Sequence, residues 1–189
     1  MITDEQIKEN RLIFVDHEDW WEGTENNFTE RMRSRGVEVE RVFFSGFWSQ
    51  GDGACFEGSI CDMDDFLKFY FNDDEYPFIR RLLKENGAVN LSCHQHGYYS
   101  HANSVLFSEQ HDTWELIHHD EEDEFRLKVI NAMDEKLADE LTDFYSAAHE
   151  IFRDAMRSLY DDLQAEYEYL TSDETIREYL EDQEEEEDQ

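Results

Sequence analysis

The sequence is poor in basic residues: 16 Lys and Arg stand against 49 Asp and Glu, which gives a formal net charge of −33. Because nucleic acids and anionic membranes are themselves negative, this charge excludes both as direct partners unless cations intervene. Repulsion among so many negative charges destabilises a compact state, so we expect the net charge to contribute to function. A basic protein surface is the partner that it favours. Adaptation to high salt, or simple solubility, is the alternative explanation of the acidity.

Paired cysteines, a targeting segment and long apolar runs are also missing from the sequence. The three cysteines, Cys55, Cys61 and Cys93, lie in strand-like segments, and an odd number leaves at least one without a partner. Reduced thiols in a cytoplasmic protein are the expectation. The N-terminal residues have no basic region followed by an apolar one, and no apolar run approaches the roughly 20 residues of a membrane-spanning helix. We therefore expect a cytoplasmic protein without a membrane segment.

Residues 42–60 carry the pattern of a β-hairpin, and the rest of the chain is organised around them. A β-branched and aromatic run breaks at residues 50–53 and resumes at residue 54. Gly46, Gly51 and Gly53 are more glycines than one turn needs. The backbone there is expected to take positive φ or to let another group approach closely. That group is a ligand, a partner or the protein's own aromatic side chains.

The remaining pattern predicts an α+β fold. Residues 88–110 alternate between apolar and polar and predict a second hairpin. From Ile130 to Tyr167, apolar residues recur every three or four positions, which predicts one long amphipathic helix. Shorter helices are expected within residues 3–15, 16–36, 62–71, 76–87 and 174–180, and a short strand around Trp114. The predicted architecture is a four-stranded, mostly antiparallel sheet packed against the long C-terminal helix and the shorter helices, in a single domain over 1–183 with a disordered acidic tail over 184–189.

The C-terminal part of the sequence, residues 161–189, is the most acidic, with fourteen acidic residues and one basic residue. Duplex DNA carries about one negative charge per 1.7 Å. A helix rises about 1.5 Å per residue, so a face with roughly every third or fourth position acidic approaches that density. Such a surface would occupy a basic cleft that binds nucleic acid. The predicted partner-binding residues are Asp161, Asp162, Glu166, Glu168, Asp173, Glu174, Glu178 and Glu181. A solvated acidic face is the alternative.

The two predicted hairpins offer a different kind of site. His94 and His96 share one face of a strand and His101 follows a turn, and imidazoles in this arrangement can bind a metal. Cys55 with one of these histidines and an acidic residue would supply a nucleophile, a base and an orienting group. The residues of this possible pocket are Trp48, Ser49, Gln50, Asp52, Cys55, Glu57, His94, His96 and His101. A polar strand face and a cysteine packed as a small hydrophobic residue explain the same pattern, and Trp48 is expected to be partly exposed.

Residues 44–58, FSGFWSQGDGACFEG, are similar to the signature of a group of small bacteriophage and prophage proteins that are sometimes labelled antitoxin-like. Residues 91–101, with a His-x-Gly-x-Tyr-x-His element, and residues 166–174 resemble further parts of that group. The resemblance implies a phage origin and a location in the bacterial host, and it implies no chemistry. The Glu-rich ending is similar, by analogy alone, to that of Ocr, the phage DNA mimic that inhibits restriction enzymes.

These observations lead to a predicted function. The leading hypothesis is a phage-encoded, non-enzymatic inhibitor of the anti-restriction or anti-CRISPR type, which binds a basic nucleic-acid-binding protein of the host as a DNA or RNA mimic and needs no metal or other cofactor. One alternative is a small enzyme or metal-binding protein that uses the hairpin residues. Another is an antitoxin that binds a basic toxin. A homodimer is expected if the long helix, with Phe144, Tyr145, Phe152 and Tyr160, keeps apolar surface beyond what covers the sheet.

Overall fold

The computed structural model describes residues 2–16, 19–84, 87–112 and 124–187. Its helices are α1 (Asp4–Asn10), α2 (Glu22–Arg33), α3 (Met63–Tyr70), α4 (Pro77–Lys84), α5 (Glu124–Leu170) and α6 (Asp173–Glu187), and its strands are β1 (Val37–Phe44), β2 (Ala54–Ile60), β3 (Ala88–Gln95) and β4 (Val105–Asp112). The strands form one sheet in the order β1-β2-β3-β4, and every neighbouring pair is antiparallel. The predicted α+β fold is confirmed. Among the described helices, none is both long and apolar enough to cross a bilayer.

The chain divides into two compact units. The helical unit comprises Met1–Phe28 and Ser158–Gln189, and the sheet unit comprises Thr29–Arg157. The prediction of a single domain over 1–183 stays a prediction. Helix α6 continues to Glu187, whereas the acidic run predicted disorder from residue 184. The high helix propensity of glutamate, in a segment without Gly or Pro, accounts for the continued helix.

In the sheet unit, α5 packs on one face of the sheet through aromatic side chains. Phe56 of β2 lies 5.5 Å from Phe152 of α5 between ring centroids, and Phe107 of β4 lies 6.1 Å from the same ring. Phe144, Tyr145 and Phe152 are buried. Tyr160, the fourth residue named for the predicted homodimer, is partly buried, and the homodimer stays a prediction.

The turns that connect these elements follow local sequence signals. Asp62 caps α3, as predicted, because its carboxylate accepts a hydrogen bond of 2.9 Å from the N–H of Asp65. Helix α4 begins at Pro77, as predicted from the fixed φ of proline. Gly36 ends the turn after α2 with a φ of +78°, and its carbonyl accepts hydrogen bonds from the N–H groups of Cys61 and Asp62. The predicted strand around Trp114 lies outside the described residues.

The first helix of the helical unit follows a local signal, whereas the core of this unit joins residues distant in sequence. Thr3 and Gln6 form the predicted capping box of α1, with the Thr3 N–H donating to Gln6 Oε1 at 2.8 Å. The buried residues Ile2, Ile7 and Ile176 form the core, and the partly buried Ile13, Phe14 and Leu180 pack against it. This core joins the two ends of the described chain, α1 and α6.

Candidate functional site

The loop between β1 and β2, residues 45–53, is closed by its own hydrogen bonds. The carboxylate of Asp52 accepts from the N–H of Trp48 at 2.7 Å and from the N–H of Ser49. The N–H of Ser45 donates to the carbonyl of Gly53 at 3.2 Å. Asp52, a residue of the possible pocket, therefore holds the shape of the loop.

The group that approaches the glycines of this loop is the protein itself. A Cβ on Gly51, where φ is +100°, would lie 3.0 Å from Cε1 of Tyr99. A Cβ on Gly53 would lie 2.7 Å from the carbonyl oxygen of Ser100 and 3.0 Å from Cδ2 of His101. The sequence left a ligand, a partner or the protein's own aromatic side chains as the group that approaches the glycines. In the structure this group is an aromatic ring of the protein itself, together with a backbone carbonyl and an imidazole. We call residues 45–53 and 96–104 together the hairpin tip.

The three histidines of the possible pocket have separate surroundings. His94 is exposed and pairs with Leu106 across the β3–β4 ladder. His96 is exposed in the loop, and its N–H donates to the carbonyl of Ser104 at 2.9 Å. His101 accepts a hydrogen bond of 3.0 Å at Nδ1 from the N–H of Asn103, which caps the short 3₁₀ turn. Within the described residues, no three His, Cys, Asp or Glu side chains are grouped to hold a metal ion.

Cys55 and its neighbours lack the arrangement of a nucleophilic site. The Cys55 side chain is fully buried, and burial, with the nearby Glu57 carboxylate, raises the pKa of its thiol to about 12. At neutral pH this thiol is protonated and out of reach of a substrate. Glu57 accepts a hydrogen bond of 3.3 Å from the N–H of Gln95. Cys55 therefore packs as the small hydrophobic residue of the alternative explanation.

Trp48 is 72% exposed, in agreement with the expectation from sequence. Ser49 and Gln50 beside it are exposed as well. Together with Tyr98 and Tyr99, Trp48 makes the hairpin tip rich in exposed aromatic surface. The two tyrosines belong to this surface because the β3–β4 loop packs on the β1–β2 loop, a contact between residues almost fifty positions apart.

The eight predicted partner-binding acids lie along the end of α5 and along α6. Six of them are exposed and two, Asp162 and Glu166, are partly buried; the exposed ones are Asp161, Glu168, Asp173, Glu174, Glu178 and Glu181. Glu168 accepts a hydrogen bond of 2.9 Å from the side chain of Gln164. We call these eight residues the acidic surface.

Two of the three basic residues of the helical unit, Arg11 and Arg177, are bound within it. Arg11 forms an ion pair with Asp173 and donates to the carbonyl of Thr171 at 3.0 Å. Arg177 donates to the carbonyl of Ile2 at 3.4 Å and lies 3.9 Å from the carboxylate of Asp4. Both arginines tie α1 to α6, and Arg11 neutralises one member of the acidic surface.

The net charge is distributed unequally between the two units. The helical unit has 22 acidic and three basic residues in 60, a formal charge of −19. The sheet unit has 27 acidic and 13 basic residues in 129, a formal charge of −14. The helical unit, which carries the acidic surface, therefore has about three times the net charge per residue.

Comparison with known proteins finds one family. A family model described as "Domain of unknown function (DUF8835)" matches residues 20–173 of the 189. No curated protein and no solved structure matches the chain. The match contains the hairpin tip and ends at Asp173, so three of the predicted partner-binding residues, Glu174, Glu178 and Glu181, follow it.

Proposed function

Because the chain belongs to the DUF8835 family, which is defined without a function, we propose a function from its own surface: it inhibits a basic nucleic-acid-binding protein of a bacterial host by occupying the cleft that binds DNA or RNA. The phage origin that residues 44–58 imply by resemblance fits this role. An antitoxin that binds a basic toxin would use the same surface, and the identity of the bound protein separates the two.

The observation that carries the proposal is the charge of the helical unit, −19 in 60 residues. Folding holds these carboxylates together against their repulsion, and three basic residues offset them only slightly. Such a surface favours binding to a basic cleft in two ways. Long-range attraction speeds the encounter, and close contacts replace the phosphates that the cleft normally binds.

The geometry of the acidic surface suits this replacement. Its residues lie on helices, which present side chains at fixed positions, so binding orders few additional groups. Positions 174, 178 and 181 follow one another at helical spacings of four and three residues and share one face of α6. Their carboxylates form a row, as phosphates do along a nucleic-acid strand.

The test is capture of the partner by the tagged full chain from host lysate, with washes at about 0.01 M and about 1 M salt, where the Debye lengths are about 30 Å and 3 Å. A nucleic-acid-binding protein that is retained at low salt and released at high salt supports the proposal. Binding to the purified partner is then measured for the variant Glu168→Gln, Glu174→Gln, Glu178→Gln and Glu181→Gln. At up to about 0.5 kcal/mol for each exposed charge, we expect about tenfold to thirtyfold weaker binding and a smaller salt dependence.

A matched control removes the same four charges from exposed positions in the sheet unit: Glu38→Gln, Glu40→Gln, Asp73→Asn and Asp74→Asn. This control has the same net charge as the test variant, and its affinity should change less than threefold. Equal weakening in both variants would mean that net charge alone attracts the partner, and the acidic surface would lose its assigned role. Displacement of the partner's nucleic acid by the wild-type chain is the second readout.

A further inference from the structure

The hairpin tip is free of formal charge apart from one carboxylate. Residues 87–108 contain no Asp, Glu, Lys or Arg, and neither do residues 42–51, in a chain in which 34% of residues are charged. The packing of Gly51 and Gly53 on the β3–β4 loop brings these two uncharged stretches together. The carboxylate, that of Asp52, is bound to two backbone N–H groups of its own loop.

The same tip exposes large apolar side chains. Trp48 is 72%, Tyr98 100% and Tyr99 62% exposed, and Leu106, in β4 just beyond the tip, is 56% exposed. A cluster of exposed aromatic side chains is typical of a protein-binding surface, and Trp and Tyr contribute most to such interfaces. The tip also contains Ser, Gly and Asn, which with Tyr are the residues enriched in antibody binding loops.

Internal contacts hold the tip in one shape. Asp52 fixes the first loop, the hydrogen bond from Asn103 to His101 fixes the turn of the second, and Gln95 donates to the hydroxyl of Ser100 at 3.5 Å. A surface that is already ordered loses less conformational entropy when it binds.

We propose that the hairpin tip binds the hairpin tip of a second copy of this chain, in a symmetric dimer. In a twofold interface the same patch faces itself, so the patch has to be complementary to itself. An acidic patch would repel its own copy. Hydroxyl and amide groups each donate and accept hydrogen bonds, and aromatic rings stack on one another, so the tip can pair with itself.

The net charge adds a second reason for this location. Two copies of net charge −33 repel each other, and they can approach most closely where neither carries charge. Added salt screens the remaining long-range repulsion. Self-association is therefore expected to strengthen with salt, whereas binding of the acidic surface to a basic partner weakens. The opposite salt dependences distinguish this inference from the proposed function.

The test is sedimentation of the full chain over a concentration series at low and high salt. We expect a monomer–dimer equilibrium that is tighter at high salt. The double variant Trp48→Ala and Tyr98→Ala should weaken the dimer at least about tenfold, because both side chains are exposed anchors of the interface. The control is Tyr169→Ala, which removes a 62% exposed tyrosine from the helical unit and should leave the dimer unchanged.

A wild-type chain that stays monomeric at every concentration and at both salt levels overturns the inference. A double variant that dimerises as tightly as the wild type overturns the inference as well. Circular dichroism and thermal unfolding establish that the double variant is folded. As a second measurement, Gln50→Cys in a Cys61→Ser background places one exposed thiol at the tip, and oxidation should give a covalent dimer at protein concentrations where Cys61→Ser alone gives none.

Discussion

The imidazole of His101 lies against Gly53, where a Cβ would be 3.0 Å from its Cδ2 atom. Gly53 ends the loop before β2, and His101 belongs to the loop between β3 and β4. The two β-hairpins are thus joined at their loops as well as through the β2–β3 ladder, in which the register pairs Gly58 with Cys93 and Ser59 with Ser92. Close packing at Gly53 is what positions the hairpin tip.

The first prediction concerns this packing. Gly53→Ala places a methyl group 2.7 Å from the carbonyl oxygen of Ser100, closer than such atoms approach in proteins. Backbone atoms cannot move aside cheaply, so we expect a loss of about 1–3 kcal/mol in the free energy of unfolding, measured with chemical denaturant. Gly23→Ala is the control, because nothing lies within 4 Å of its Cβ position in helix α2, and it should gain up to about 1 kcal/mol. Equal stability of Gly53→Ala and wild type would contradict the packing.

The second prediction concerns the thiols. Burial raises the pKa values of Cys55 and Cys93 to about 12, while Cys61 is exposed. A thiol-reactive dye at about pH 8 should therefore modify one cysteine quickly in the folded protein and three after unfolding. Cys61→Ser should abolish the fast reaction. Fast labelling of Cys55 in that variant would show that the β2 strand opens, and it would restore the nucleophile hypothesis.

The order of helices and strands was predictable because its signals are local. The capping box of Thr3, the N-cap of Asp62 and Pro77 at the start of α4 each act within one helical turn. The β-bulge between Val39 and Arg41 was missed, although two consecutive polar residues, Glu40 and Arg41, interrupt the alternation of β1 there. His94 and His96 were grouped by strand alternation, His101 by its place after the turn, and Cys55 by the predicted pairing of the two hairpins. Alternation places side chains on a face of one strand, but the burial of Cys55 and the packing of His101 on Gly53 depend on contacts distant in sequence.

The third prediction concerns pH and His149 of α5. Burial lowers the pKa of His149 below its usual value of 6.5, even though Oε1 of Glu109 lies 3.1 Å from its Nε2 atom. The carboxylate attraction is outweighed, and Nε2 makes no hydrogen bond. The ring stacks on Phe107 at 4.1 Å, which keeps it away from water. We infer that His149 is neutral in the folded protein at neutral pH.

A lowered pKa in the folded state means that the unfolded chain binds the proton more readily. The stabilisation of the folded state by neutral His149 is complete above about pH 6.5, and it is lost as the pH falls through the lower pKa of the folded state. Wild type should therefore lose more stability between about pH 7 and pH 5 than His149→Gln, and Glu109→Gln should lower the pKa of His149 further. Titration by NMR measures that pKa directly, and a value at or above 6.5 would contradict the expectation.

The last prediction concerns a contact between positions 61 residues apart, which no local pattern indicates. Oε1 of Glu140, on α5, accepts a hydrogen bond of 2.9 Å from the N–H of Ile79 in the first turn of α4. The N–H groups of a first turn have no partner within their helix, and α4 has no acidic residue of its own there. Glu140 thus supplies both the acceptor and the negative charge that this helix end needs.

Glu140→Ala leaves the buried N–H of Ile79 without that acceptor, and we expect a loss of about 1.5–3 kcal/mol in the free energy of unfolding, as for hydrogen bonds to charged groups. Glu140→Gln keeps an acceptor oxygen without the charge and should recover about half of that loss. Asp139→Ala, at the exposed neighbouring position, should change stability by less than about 0.5 kcal/mol. If Glu140→Ala and Asp139→Ala prove equally stable, the contact does not stabilise α4. If the Gln variant is as unstable as the Ala variant, the charge and not the hydrogen bond is what α4 requires.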